Sequence, residues 1–152
     1  MRHTTIIHIL AILALPLLAP AQETGLPGLW KVVSITNLDT GGRQERPVRQ
    51  FHMFTASHHM IVLAGENRKT IAKSFADMTA AEVMSQLPAG AGFYRYKISG
   101  AKLIRTNILA LSAYYEGKTF ETGFKVDGDT LTLRDAHAAD GHLREWKLER
   151  VE

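Results

Sequence analysis

The stretch from Thr119 to Leu133 leaves little freedom in how it folds. Phe120, Thr122, Phe124 and Val126 alternate with Thr119, Glu121, Gly123 and Lys125. Asp127-Gly128-Asp129 follows, and then Leu131 and Leu133 alternate with Thr130 and Thr132. A period of two sends successive side chains to opposite faces of a strand. An Asp-Gly pair between two such runs is a strong hairpin signal. One face is largely apolar and the other wet, the pattern of an antiparallel sheet packed on one side only. The end of the chain repeats it: Trp146 and Leu148 share a face, opposite Glu145, Lys147 and Glu149.

The rest of the chain extends the pattern. Gly28 to Thr36 opens with a glycine and Trp30 and is rich in β-branched residues (Val32, Val33, Ile35), as strands are. Asn37 to Pro47 is polar and glycine-containing, and reads as a loop. Val48–Phe54 and His59–Leu63 form a hairpin pair, and Gly65–Asp77 is a basic surface loop of the length that often carries function. Thr79-Ala80-Ala81-Glu82 is a capping box, predicting a short helix over Ala80–Leu87 that Pro88 ends. So short a helix cannot stand alone in water, so it should pack on the mouth or flank of the sheet, through Val83, Met84 and Leu87. After Gly90-Ala91-Gly92 come strands at Phe93–Ile98, Lys102–Ala113, Thr119–Val126, Thr130–Leu133 and Leu143–Val151. About eight strands with turn signals every 8 to 12 residues or so predict an all-β antiparallel sandwich or barrel, and closure removes the sheet's edges.

The chain has 152 residues, 45% of them hydrophobic, enough for one domain with a real core. It has no cysteine, which excludes disulfides, thiol nucleophiles, cysteine-based zinc sites and iron–sulfur clusters. Residues 1–21 have a secretory layout: Arg2, a mostly apolar run from Ile6 to Leu18, then Ala19-Pro20-Ala21. The run is shorter than the roughly 20 residues of a spanning helix. Cleavage after Ala21 is expected, giving a secreted or periplasmic mature chain of residues 22–152 with no membrane span. Removal of Arg2 takes the formal charge from +3 to +2. So mild an excess, with scattered basic residues, does not point to nucleic acid.

The ordered elements resemble the bacterial lipocalin-like domain proteins, small and mostly uncharacterised barrels, over residues 26–151. The resemblance rests on Leu26-Pro27-Gly28-Leu29-Trp30, the hairpin Phe51–Leu63, the helix region Met78–Leu87, Tyr94-Arg95-Tyr96-Lys97-Ile98-Ser99-Gly100, Asp127 to Leu133 and Leu148-Glu149-Arg150-Val151. It departs at the turn after Phe54, which holds Ser57-His58 rather than Asp-Gly, and at Trp146, which does not immediately precede Glu149-Arg150. The resemblance implies a single eight-stranded antiparallel barrel with one short helix. It further implies that Arg150 of the last strand lies over Trp30 of the first, closing one end. A ligand would then enter at the other end, near the Gly65–Asp77 loop and the helix.

Barrels of this size can hold one small ligand. The candidate lining is Phe54, Met60, Tyr94, Tyr96, Tyr114, Phe120 and Phe124, although side chains this large could also fill the barrel themselves. Arg105 has two readings. Pointing inward it needs a carboxylate or phenol partner, because a buried unpaired charge is very costly; pointing outward it is merely solvated. His52, His58 and His59 lie on one hairpin, and His137 and His142 share a loop with Asp135 and Asp140. None has established metal-ligand spacing, and loop histidines are usually exposed, so no metal is expected. No nucleophile elbow or phosphate loop occurs, and neither a catalytic residue nor a cofactor is assigned. Three functions follow: a barrel binding a small hydrophobic or amphipathic molecule, an isomerase or cyclase using Tyr, Arg and His in the same pocket, or a filled barrel acting through protein contacts.

Overall fold

The computed structural model describes residues 25–45, 49–64, 74–86, 88–136 and 140–151. The expected signal peptide, residues 65–73 of the Gly65–Asp77 loop, Leu87 of the expected helix and His137 lie outside them. Among the described residues there are nine strands: β1 (Gly28–Asn37), β2 (Arg43–Glu45), β3 (Gln50–Phe54), β4 (His58–Ala64), β5 (Pro88–Ser99), β6 (Lys102–Ala110), β7 (Thr119–Asp127), β8 (Thr130–Ala136) and β9 (Leu143–Arg150). All pairings are antiparallel, in the order β1-β3-β4-β5-β6-β7-β8-β9, and β9 returns to pair with β1. The result is a closed eight-stranded antiparallel barrel. The extra element, β2, falls in the stretch expected to be loop. It pairs with Ser34–Thr36 on the same edge of β1 whose start, Gly28–Lys31, pairs with β3. β2 and β3 therefore occupy one strand position end to end.

The hairpins follow from local chemistry. Gly128, at the turn between β7 and β8, has φ +58°, a conformation that costs a glycine nothing and other residues a good deal. The alternation of β8 holds, with Leu131 and Leu133 buried and Arg134 exposed. β5 begins five residues earlier than Phe93. Gly90, Ala91 and Gly92 are not a break but a flat part of the strand, opposite Leu63, Val62 and Ile61.

One half of the barrel is filled. Leu26, Trp30, Val32, Phe54, Tyr96, Leu103, Leu131, Leu133 and Leu148 form its core, with Phe124, Val126, Ile35 and Trp146 packed against it. Leu26, in a lead-in that reads as polar, is fully buried, and its carbonyl accepts a hydrogen bond from Trp30 Nε1 at 2.8 Å. The Arg150 guanidinium lies 4.1 Å from the centre of the Trp30 ring. Arg150 also donates to the carbonyls of Pro27 and Gly25, so the last strand is tied both to the first and to the segment before it.

The helix α1 (Ala80–Gln86) has the expected capping box. Thr79 N donates to Glu82 Oε2 at 2.8 Å and Glu82 N to Thr79 Oγ1 at 3.3 Å. Its expected packing is not seen among the described residues: none of α1 is buried, and Met84 is 67% exposed. Its N-terminus is held by side-chain caps instead.

Candidate ligand-binding site

The other half of the barrel is open. A cavity of about 370 Å³ lies at the end opposite Trp30 and Arg150, bordered there by the end of β4 and the start of β5. This is the end from which the connection to α1 leaves. Its wall is apolar: Ile61 and Leu63 of β4, Leu111 after β6, Phe120 of β7, Leu133 of β8 and Trp146 of β9. Gly90, Ala91 and Gly92 keep the β5 side shallow, and that is the structural use of the glycines. A Cβ on Gly92 would sit 2.6–2.8 Å from the outer atoms of the Tyr94 ring, so Tyr94 lies back across a bare stretch of backbone.

The cavity floor is polar and comes largely from β6. Leu103, Arg105 and Asn107 are all buried, whereas Thr106 and Ile108 are exposed. Arg105 therefore points inward. Its Nη2 donates to Asp135 Oδ2 at 2.7 Å and to Thr122 Oγ1, and Thr122 Oγ1 donates to the same carboxylate oxygen at 2.7 Å. The Arg105 and Asp135 side chains are only 8% and 18% exposed. The Tyr94 ring lies 5.3 Å from the guanidinium carbon. Burial lowers the pKa of Arg105, while Asp135 and Tyr94 pull it back up. A guanidinium starts so high that it stays charged. Burial also raises the Tyr94 phenol, so it remains protonated at neutral pH.

A register shift between Phe93 and Tyr94 makes Ile108 an extra residue against β5. Tyr94 pairs with Asn107, but Phe93 pairs with Leu109 and Gly92 with Ala110. This bulge lets Asn107 and Ala110, three residues apart, both reach the cavity.

A second polar group adjoins the floor. Gln50 Nε2 is 2.9 Å from His52 Nε2, and His52 Nδ1 is 3.1 Å from His59 Nε2. The His59 ring stacks on Phe54 at 4.0 Å and on Tyr94 at 5.5 Å. Both histidines are buried, contrary to the expectation for this hairpin, because 52 and 59 fall on the inward phase of β3 and β4. Burial, reinforced by Arg105, pushes the pKa of His52 down to about 3, and burial holds His59 well below its ordinary value. Both are neutral. In either direction of donation, the chain Gln50–His52–His59 ends at His59 Nδ1 without a partner. Arg105 Nε and Asn107 Oδ1 are likewise buried and unpartnered among the described residues.

Tyr94, Arg105 and Phe120 border the cavity. Phe54, Tyr96 and Phe124 lie in the filled half instead, and the Tyr96 hydroxyl donates to the Thr55 carbonyl at 2.6 Å. Met60 faces out because His59 faces in. It sits in an outer row, Met53–Met60–Phe93–Leu109, each at least 36% exposed. Tyr114 lies on a 3-10 turn, 71% exposed, with Lys118 Nζ 3.1 Å above its ring. Gln50, His52, Asn107, Leu133, Asp135 and Trp146, none of them expected at the lining, border the cavity. The signal for Asn107 was its spacing of two from Arg105.

His142 pairs with Asp39 at 3.0 Å, and no group of three or more metal-ligating side chains occurs among the described residues. No described helix is long and apolar enough to cross a membrane.

Neither a protein-family model nor a curated protein sequence matches the chain. Among solved structures, the chain is similar to a lipocalin-like protein from Bacteroides uniformis, with a TM-score of 0.51 and 13% identity, covering 82% of this chain and 97% of that one. An uncharacterized protein from Bacteroides eggerthii aligns with a TM-score of 0.49 and 10% identity, over 82% and 98%. Identities this low concern the fold alone.

Proposed function

We propose that this lipocalin-like barrel binds one small, mostly apolar molecule in its open half. The observation that carries the reading is the cavity itself, about 370 Å³, apolar at the walls and polar at the floor. Small-molecule sites run from about 300 to 1,000 Å³ and combine apolar walls with a few placed polar groups. The filled-barrel alternative accounts for the Trp30 half but not for this space. The isomerase or cyclase alternative draws no support from Asp135 Oδ2 or from His52 as proton acceptors. Asp135 Oδ2 already accepts from Arg105 and Thr122, and both ring nitrogens of His52 are engaged. Export to the periplasm or medium is proposed from residues 1–21 alone.

Titration with the uncharged fluorophore N-phenyl-1-naphthylamine tests the reading. Saturable binding at one site per chain is expected. Ala110→Trp, which fills the cavity from β6, should weaken it at least tenfold, and Met84→Ala on α1 should not change it. A signal that never saturates, or that Ala110→Trp leaves intact, overturns the proposal.

A further inference from the structure

The cavity floor discriminates between ligand head groups, an inference that rests on the binding reading above. Its formal charges cancel. Among the described lining residues Arg105 supplies the one cation, and Asp135 already holds it at 2.7 Å. His52 and His59 are neutral neighbours and offer no second positive charge. A ligand carboxylate reaching Arg105 would come close to the Asp135 carboxylate in a site where water screens little, and like charges so placed repel strongly.

The unpaired atoms lead to the same conclusion by a separate route. Asn107 is 2% exposed and borders the cavity, and its Oδ1 is an acceptor with no donor. Arg105 Nε, two residues away on the same face of β6, is a donor with no acceptor. Leaving such groups unmatched is unfavourable, and a ligand that matches them gains by it. The terminal torsion of an asparagine is broad, so its amide can turn toward an incoming group. A carboxylate only accepts, so it leaves Asn107 Oδ1 unmatched. A hydroxyl or a primary amide has a proton to donate, so it can match Asn107 Oδ1 once that amide turns toward the cavity.

We infer that the pocket takes an uncharged amphipathic molecule, whose hydroxyl or amide meets the floor at Arg105 and Asn107, and disfavours the carboxylate of the same chain length.

Calorimetric titration of the full chain with decan-1-ol, decanamide and decanoate at pH 7.5 tests this with the tail held constant. The alcohol and the amide should bind at least tenfold more tightly than the acid. In Asp135→Asn, where Arg105 keeps its charge but loses its anion, the acid should gain on the alcohol. The comparison within the unaltered protein does not depend on that variant folding well. Decanoate binding as tightly as decan-1-ol overturns the inference and leaves the binding reading standing. Binding of none of the three overturns the binding reading, and this inference with it.

Discussion

Arg150→Ala measures what closing the barrel contributes. Three contacts go. The guanidinium 4.1 Å over the fully buried Trp30 ring is worth about 1 kcal/mol, in the middle of the cation–π range. The two hydrogen bonds to the Pro27 and Gly25 carbonyls come from a charged donor, but the Arg150 side chain is 24% exposed and water can partly replace it. About 0.5–1 kcal/mol each is the fitting scale. The ion pair with Asp129, itself 86% exposed, adds close to nothing. The sum is about 2–3 kcal/mol. At roughly 4 °C per kcal/mol for a domain of this size, the melting temperature by circular dichroism should fall by about 10 °C. Arg150→Lys keeps the charge but not the planar fork, so it should recover only the cation–π part, about a third. Because these contacts lie at the far end from the cavity, N-phenyl-1-naphthylamine affinity at 20 °C or so should not change. A shift under about 2 °C for Arg150→Ala would refute the idea that this arginine seals the barrel.

Two further outcomes follow from the buried polar chain and the flat strand. His52 takes up a proton near 6.5 in the unfolded chain but only at about 3 in the folded one, so acid favours unfolding. The stability is present above 6.5 and is lost as pH falls toward 3, at about 1.4 kcal/mol per unit for His52, with His59 adding in the same sense. Melting temperatures recorded from pH 7 to about 4.5 should fall steeply. His59→Phe, which keeps an aromatic ring beside Phe54, should flatten the fall; parallel curves for the two proteins would contradict this. Gly92→Ala must push the Tyr94 ring off its bed, because the new Cβ would lie 2.6 Å from the hydroxyl. It should cost about 1–3 kcal/mol in urea unfolding, and an unchanged midpoint would show that Tyr94 moves freely.

The fold was readable where one face is wet and the other dry. In β7, β8 and β9 the apolar residues Phe120, Phe124, Val126, Leu131, Leu133, Trp146 and Leu148 keep to one phase, and Asp127-Gly128 fixes the turn, so pattern and turn chemistry agree. β6 is different. Ile104 and Ile108 sit on the phase opposite to Arg105 and Asn107, so apolar residues are available to both faces and periodicity cannot choose between them. The choice is made by the partners: Arg105 stands opposite Tyr96 on one side and Phe120 on the other, both inward. That register is a property of three strands together. The same holds for His52 and His59, which face each other across β3 and β4 although seven residues apart. Asp135 reads as a loop residue beside His137 because the apolar alternation of β8 stops at Leu133, and its partner Arg105 lies 30 residues away. The bulge at Ile108, which turns both Asn107 and Ala110 inward, has no glycine to announce it.

Among the described residues, the barrel is filled at the Trp30 end and hollow at the other, so it has one open end. On the proposed binding, a molecule lying against Arg105 would leave by the same open end through which its replacement enters. A newcomer cannot push an occupant out from behind. Exchange is then paced by the departure of the resident molecule, at a rate indifferent to how much competitor is waiting outside. On the proposed binding, release would run on the pocket's own clock, and only a change in the shape of the open end would hasten it.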